Sequence, residues 1–301
     1  QVVYDVFETN EEMYPVIEAG AVKYDVVCPS DYMIQKMIEN NLLAEINFDN
    51  IPNYKEIGQE YLDISKGFDP ENKYSVPYCW GTMGILYNTK RIEELGVPAP
   101  TKWADLWDTR LSGEILMQNS VRDAFTVALK SLGYSLNTTN PDELEQAKEK
   151  LIQQKPLVQA YVMDDIFEKL EGGNAAIGVY YYGDFLTMYE SNEDLAFALP
   201  REGTNRYVDA MCIPKGCENQ ENAEAFINFM CSTQAGLKNC EETWYSTPLL
   251  SVRKELDAEV VDDPFAYPDQ DFMDNQCETF ACLPAQIRTL YNDQWVRLMN
   301  N

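Results

Sequence analysis

The 301-residue sequence predicts an α/β fold. Short runs rich in β-branched and aromatic residues alternate along the chain with amphipathic stretches at helical spacing, which is typical of α/β domains. Hydrophobic residues make up 45% of the chain and charged residues 24%, as in ordinary globular proteins. A chain of this length has enough material for one large domain or two modest ones.

Seven segments have the composition of strands. They are residues 2–6, 24–27, 84–87, 114–117, 175–182, 195–199 and 207–213. In the segment "GVYYYGDF", residues 178–185, alternation along a strand directs Tyr180 and Tyr182 to one face and Tyr181 to the other. We expect Gly183 to end this strand and to leave Asp184 near its carboxyl end.

Four segments are predicted as helices. "NPDELEQAKEKLIQQ" has Asn140 as its N-cap, Pro141 at the first helical position and acidic residues in the first turn. "SDYMIQKMIENN" and "ENAEAFINFMCS" carry apolar residues at helical spacing. "TKWADLWD" reads as a helix start capped by Thr101.

The net charge of the chain limits the classes of partner that we expect for it. The 50 acidic residues exceed the 23 basic ones, which gives a net charge of −27. Nucleic acids and anionic membranes need a positive surface, so neither is expected as a partner. A cationic ligand would be attracted by this field, although acidity can also serve solubility alone.

Histidine is absent from the sequence. This excludes Ser-His-Asp and Cys-His catalysis and most zinc sites, so we expect neither an enzyme nor a metal or other cofactor. No run of 18 apolar residues and no signal peptide is present, so an exported protein would correspond here to its mature form.

The eight cysteines form no CxxC motif. Most lie inside apolar runs such as "YDVVCPS", where cysteine acts as a small hydrophobic residue, so buried free thiols are expected. Cys277 and Cys282 could pair, which sequence alone does not decide.

Polar and aromatic residues follow several predicted strands. Ser30, Asp31 and Tyr32 follow residues 24–27, where ligands bind in open α/β sheets, although Ser30 or Asp31 could simply cap the next helix. Asn119 or Ser120 can cap the helix that contains Asp123 in its first turn. By itself, Asp123 is better explained as a partner of the helix dipole than as a ligand contact.

Aromatic residues accompany carboxylates at these positions. Tyr207 and Asp209 share one face of their predicted strand, and Tyr181 lies near Asp184. Such a combination suits an alkylammonium group, because carboxylates accept its hydrogen bonds and ring faces attract the cation. With 19 tyrosines in the chain, packing in an ordinary core is the alternative.

A family resemblance rests on motifs in conserved order along the chain: "YDVVCPSDYMIQKM", "NKYSVPYCWGTMGILYN", "WADLWD", "GYSLNTTNPDEL", "VDAMCIPKG" and "INFMCS". In order and spacing they resemble the polyamine-binding subunits of spermidine/putrescine ABC importers. The resemblance implies a type II periplasmic-binding fold that lacks its first strand-helix unit. It also implies two α/β lobes joined by hinge strands, with residues 1–86 and 206–254 in one and 87–205 and 255–301 in the other.

The resemblance also implies a function and a site. The protein would capture putrescine or spermidine between its lobes, in the periplasm or outside the cell, and deliver it to a membrane permease. A transporter or an anchor would associate it with the membrane. The implied ligand contacts are Ser30, Tyr32, Trp80, Ser120, Asp123, Tyr181, Asp184, Tyr207, Asp209 and Tyr245.

Three departures from the family pattern affect this expectation. Ser120 stands where the family has a carboxylate, and Phe280 falls at the position of a glutamine contact. The family's first strand and its aromatic turn lie before Gln1.

Two alternatives stay open at the sequence level. A ferric-iron-binding protein of the same fold could use neighbouring tyrosines as phenolate ligands. A ligand-sensing or adaptor domain, cut from a permease fusion, could instead use closure on its ligand to signal to a partner chain.

Overall fold

The computed structural model describes residues 2–301, and the chain divides into two compact units. Unit 1 comprises the chain up to Trp80 together with Tyr207–Val261. Unit 2 comprises Gly81–Arg206 and Asp262–Asn301. The chain therefore passes between the units at three points, and two of these lie within strands.

The strands are β1 (Ser75–Asn88), β2 (Ile115–Gln118), β3 (Val158–Val162), β4 (Ile177–Tyr181), β5 (Leu195–Ala198) and β6 (Arg206–Cys212). The α-helices are α1 (Asn10–Ala19), α2 (Asp31–Glu39), α3 (Gln59–Ser65), α4 (Thr89–Glu94), α5 (Val121–Ser131), α6 (Pro141–Gln154), α7 (Asp165–Glu171), α8 (Tyr182–Ser191), α9 (Gln220–Met230), α10 (Thr233–Thr243), α11 (Leu250–Arg253), α12 (Ala258–Val261), α13 (Gln270–Asn275) and α14 (Ala285–Met299). Short 3-10 helices cover Phe48–Asn50, Pro52–Glu56, Trp103–Trp107, Thr109–Leu111 and Lys155–Leu157.

The sheet has the strand order β3-β2-β4-β1-β5, and β6 also pairs with β1. Strand β2 runs parallel to β3 and to β4, whereas β1 runs antiparallel to β4 and to β5. The carboxyl ends of β2, β3 and β4 therefore lie at the same edge of the sheet. In α/β proteins this edge is where loops and helix starts gather functional side chains.

Unit 2 buries side chains on both faces of its sheet. Ile85, Met117 and Val179 belong to one fully buried cluster, together with residues of α5, α6 and α14. Their neighbours Leu86 and Tyr180 belong to a second cluster, together with residues of α7 and α8. This alternation is the period of two expected for a strand that is covered on both sides.

Unit 1 contains several isolated backbone bridges in addition to its parts of β1 and β6. Val27 pairs with Cys212 and Ser30 pairs with Asp209, which places the start of α2 beside β6. The buried carboxylate of Asp31 accepts a hydrogen bond from the Val208 amide at 3.3 Å. Asp31 thus has a structural role, since it fastens the amino end of α2 to the same strand.

Five of the seven predicted strand segments overlap observed strands. Two predictions were wrong. Residues 2–6 form no strand, and Val2, Val3, Tyr4 and Val6 are 66–84% exposed. A β-prone sequence becomes a strand only when a neighbour accepts its hydrogen bonds, and this segment instead accepts a side-chain hydrogen bond from the Tyr24 hydroxyl at Asp5. Residues 24–27 contribute a single bridge.

Strand β3 was not predicted at all. It lies at the edge of the sheet, pairs with β2 alone and keeps most of its side chains partly exposed.

Helix starts show which capping predictions were right. Asn140 caps α6 through a hydrogen bond from the Asp142 amide, as predicted. Residues 103–107 form a 3-10 helix capped at Lys102, so Thr101 is not its cap. The prediction for Gly183 was also wrong, because β4 ends at Tyr181 and Gly183 already lies inside α8.

All eight cysteines are free thiols, and five of them are buried. Cys277 and Cys282 form no disulfide. Within residues 2–301, we find no helix whose length and hydropathy would suit a membrane crossing.

Candidate functional site

Asp209 of unit 1 lies in β6 and combines burial with incomplete hydrogen bonding. Its side chain is only partly exposed, and its Oδ1 atom is buried with no hydrogen-bond partner among the described residues. Burial raises its pKa to about 6, and hydrogen bonds from Ser30 and Cys79 act in the opposite direction. An unbonded, buried carboxylate oxygen is costly, so it marks a position that suits a donor from a ligand.

Ser30 connects Asp209 to the amino end of the chain. The Asn10 side-chain amide donates to Ser30 Oγ at 3.1 Å, and the Ser30 amide is 3.3 Å from Asn10 Oδ1. The hydroxyl of Tyr32 donates to Glu11 Oε1 at 3.0 Å. Sequence reasoning identified Ser30 and Tyr32 but missed Asn10 and Glu11, which only the tertiary fold brings to them.

The predicted aromatic residues of unit 1 are either buried or partly exposed. Tyr207 and Tyr245 meet edge to face, with ring centroids 6.1 Å apart. Trp80 is 5% exposed, packs at 5.5 Å from Tyr61 and donates from its indole to the Thr247 carbonyl at 3.4 Å. Trp80 is therefore a core residue of unit 1 in this structure.

In unit 2, Ser120 and Asp123 form a pair at the start of α5. Ser120 is the N-cap residue, and its hydroxyl donates to Asp123 Oδ2 at 2.5 Å. Asp123 is buried in the first helical turn, where the amino end of the helix stabilises a negative charge. The Ser120 hydroxyl therefore holds the Asp123 carboxylate through a hydrogen bond.

Tyr181 and Asp184 lie where β4 passes into α8. Tyr181 is the N-cap residue of α8, and Asp184 occupies the first turn of that helix. The Tyr181 ring lies 5.0 Å from the buried ring of Tyr180. Burial and then the charge of Asp184 raise the pKa of Tyr180, and Asp123 contributes as well. The two predicted carboxylates of unit 2, Asp123 and Asp184, therefore both raise the pKa of Tyr180.

Sequence reasoning missed a third acid at this edge of the sheet. Asp164 follows β3, and its Oδ1 accepts the hydrogen bond of the Tyr180 hydroxyl at 2.8 Å. Asp123, Asp164 and Asp184 thus follow three adjacent parallel strands. Recognition of β3 in the sequence would have revealed Asp164.

Phe280 is buried beneath the guanidinium of Arg122, whose central carbon lies 4.4 Å from the ring centroid. Arg122 donates to the carbonyls of Ala281 and Leu136 and to Asn137. The positive charge next to Asp123 in the sequence is therefore bonded to backbone carbonyls.

The tyrosines of residues 180–182 do not suit a ferric ion. Tyr180 donates to Asp164, and Tyr182 donates to Asp263. Burial is the main cause of the raised pKa of both phenols, which opposes formation of a phenolate ligand. Within residues 2–301, no group of three or more acidic, cysteine or histidine side chains is arranged to hold a metal ion.

Comparison with known proteins gives a consistent result. Residues 22–276 match the model of a family described as bacterial extracellular solute-binding proteins. The spermidine/putrescine-binding periplasmic protein of Salmonella typhimurium is 35% identical over 272 residues, which cover 89% of this chain and 76% of that protein. The putrescine-binding periplasmic protein SpuD of Pseudomonas aeruginosa is 28% identical over 314 residues, with coverage of 99% and 84%.

A solved structure shows the same similarity in three dimensions. The substrate-binding protein PotD of the spermidine/putrescine ABC transporter of Streptococcus pneumoniae has 37% sequence identity and a TM-score of 0.87. The match covers 100% of this chain and 91% of that one.

Proposed function

This chain belongs to the bacterial extracellular solute-binding proteins, and from that premise we propose that it captures a linear polyamine for an ABC importer. Membership confirms the predicted two-lobed periplasmic-binding fold, with a relative of known structure at a TM-score of 0.87. It also confirms the non-enzymatic role, because the family consists of solute-binding proteins. The ferric-iron alternative is not favoured.

The observation that carries the choice of ligand is the Asp209 carboxylate. Its buried Oδ1 has no hydrogen-bond partner among the described residues, and an ammonium group would supply both a donor and the opposite charge. Unit 2 offers further carboxylates at Asp123 and Asp184. A diamine or triamine has several ammonium groups, and each of them needs a carboxylate partner.

We assign different roles to the polar and the aromatic members of the predicted site. Asp123, Asp184 and Asp209 neutralise ammonium groups, and the hydroxyls of Ser30 and Ser120 hold two of these carboxylates. The aromatic residues pack along the methylene chain and stabilise the cation by about 0.5–2 kcal/mol for each ring. These residues are Tyr32, Trp80, Tyr181, Tyr207 and Tyr245.

Two partners follow from this proposal. The polyamine is the ligand, and the permease of an ABC importer receives it. The family is extracellular, so the protein would act in the periplasm or outside the cell, associated with the membrane through the transporter or an anchor.

Isothermal titration calorimetry tests the proposal most directly. We expect saturable binding of putrescine and spermidine at pH 7.5 and no binding of butane-1,4-diol, which has the same length as putrescine without the charges. The melting temperature of the protein should rise with the concentration of either polyamine and stay unchanged with the diol. Equal binding of the diol, or binding of neither polyamine, would contradict the proposal. A visible tyrosinate absorption band after addition of ferric ion would favour the iron alternative instead.

A further inference from the structure

We propose that Cys79 is a positioning residue for polyamine binding, because its thiol holds one oxygen of the Asp209 carboxylate and leaves the other for the ligand. This inference rests on the proposed function, since it assigns Asp209 to an ammonium group. Cys79 belongs to none of the ligand contacts that the sequence predicted. Nothing in the spacing of the cysteines indicated a polar role for it.

The geometry places the thiol against the carboxylate. Cys79 lies in β1 and is 7% exposed, and its Sγ is 3.9 Å from Asp209 Oδ2. At this distance the thiol makes a long, weak hydrogen bond, since sulfur is a weak donor. The other oxygen, Oδ1, is the buried atom without a partner in the described part of the chain. The two oxygens of one carboxylate thus have different surroundings.

Two side-chain donors oppose the effect of burial on Asp209. The Ser30 hydroxyl and the Cys79 thiol each lower its pKa, while burial raises it. Ser30 is itself fixed by the Asn10 amide at 3.1 Å. Replacement of Cys79 removes neither partner of the hydrogen bond between Asn10 and Ser30.

Other titratable groups near Asp209 have fixed roles. Desolvation, and then the charge of Asp209, raises the pKa of the Cys28 thiol, which therefore stays protonated near neutral pH. Asp31 is fully buried and accepts from the Val208 amide. The side-chain hydrogen bonds that lower the pKa of Asp209 come from Ser30 and Cys79 rather than from these two groups. Removal of the Cys79 thiol should therefore favour the protonated, non-binding form of Asp209.

The experiment compares C79A and C79S with the wild-type protein by calorimetry with putrescine at pH 6 and pH 8. For Cys79→Ala we expect about fivefold weaker binding at pH 6 and less than twofold at pH 8, because the lost donor matters most where Asp209 titrates. Cys79→Ser keeps a donor with a shorter reach, so its affinity should lie between the two. An equal loss at both pH values would show a packing role only and overturn the inference.

Cys231→Ala is the matched control. Cys231 is a buried thiol of unit 1 that borders α9 and is 1% exposed. Its replacement removes the same sulfur from an equally buried position, and it should leave the ratio of the affinities at pH 6 and pH 8 unchanged. A change of that ratio equal to the change in Cys79→Ala would overturn the inference.

A second measurement needs no ligand. The pKa of Asp209 in the free protein can be followed by NMR of its side-chain carboxyl carbon, with D209N to assign the signal. The pKa should be higher in C79A than in the wild-type protein, and an unchanged value would overturn the inference. If the wild-type protein bound no polyamine, the proposed function would fail, but this titration would still decide whether the thiol acts on the carboxylate.

Discussion

The two units present their carboxylates in different ways. In unit 1, Asp209 belongs to a strand, and its partners are the side chains of Ser30 and Cys79. In unit 2, Asp123 and Asp184 each occupy the first turn of a helix that follows a strand. The amino end of a helix stabilises a carboxylate through its dipole, by about 0.3–1 kcal/mol at exposed positions. A strand provides no comparable field.

This difference indicates that the acid of unit 1 depends more strongly on its ligand. Burial raises the pKa of Asp209 to about 6, so its charged form is destabilised when no cation is bound. A ligand ammonium should therefore make its largest single contribution at Asp209. Replacement of the individual acids tests this ranking.

Asp209→Asn should weaken putrescine binding most, by about 2–3 kcal/mol, because it removes the charge that accepts the buried ammonium hydrogen bond. Calorimetry at pH 7.5 measures the change. Asp63→Asn is the matched control, since it removes an exposed negative charge of unit 1 that pairs with Lys66. If both variants lost the same affinity, the general field of the protein rather than the Asp209 site would explain binding.

Asp184→Asn should cost less, about 1–2 kcal/mol or roughly tenfold in affinity, because the helix start and neighbouring acids share its task. Glu190→Gln serves as its control, because Glu190 is exposed on the same helix α8. A larger loss for Asp184→Asn than for Asp209→Asn would reverse the proposed ranking of the two units.

Polyamine affinity should also fall with decreasing pH. Alkylammonium groups stay charged below pH 8. Asp209, whose pKa is about 6 in the free protein, must lose a proton before it can accept the ligand below that pH. We expect about tenfold weaker binding at pH 5 than at pH 7.5, and a clearly flatter profile in D209N. An equally steep profile in that variant would assign the titration to another group.

Tyr181→Leu should have the smallest effect, about 0.5–1 kcal/mol, because it removes a ring face but keeps an apolar side chain beside the ligand. Tyr189→Leu is a suitable control, since Tyr189 is 42% exposed on α8. The measurement is again the dissociation constant for putrescine. Unchanged affinity would remove Tyr181 from the proposed site.

The parts of the fold that sequence predicted well have strong local signals. Strands β2 and β4 are buried apolar runs, and α6 begins with a capping asparagine followed by proline. Residues 2–6 have an equally strong β signal, but their pairing depends on a neighbouring strand, which local sequence does not specify. Strand β3 escaped prediction for the opposite reason. It forms a strand in the structure, but "VQAYV" is a half-exposed edge strand with little apolar alternation, so its local signal is weak.

The residues of the candidate site differ in the same way: those with a local sequence signal could be located in advance, and contacts between distant residues could not. The position of Asp123 could be predicted, because it follows a recognisable strand and lies in the first turn of an expected helix, whereas Asp184 was expected near a strand end and lies in α8. The role of both acids as ligand contacts stays a prediction. The contact between Cys79 and Asp209 joins residues 130 positions apart, so only the tertiary fold reveals it. Asp164 was missed together with β3. The family resemblance supplied the roles of the aromatic residues, whereas the structure supplied their partners.

The absence of histidine and the burial of Asp209 have a joint consequence. Histidine is the side chain that usually titrates near pH 6, and this chain has none. Burial gives Asp209 a titration in that range, but between different charge states: the carboxyl group is neutral when protonated and negative when not, whereas histidine is positive when protonated and neutral when not. If Asp209 binds an ammonium group as we propose, protons and polyamines compete for this carboxylate, and the ammonium bound there near pH 6 should displace part of a proton into the solvent. Calorimetry in buffers of different ionisation enthalpy would count that proton.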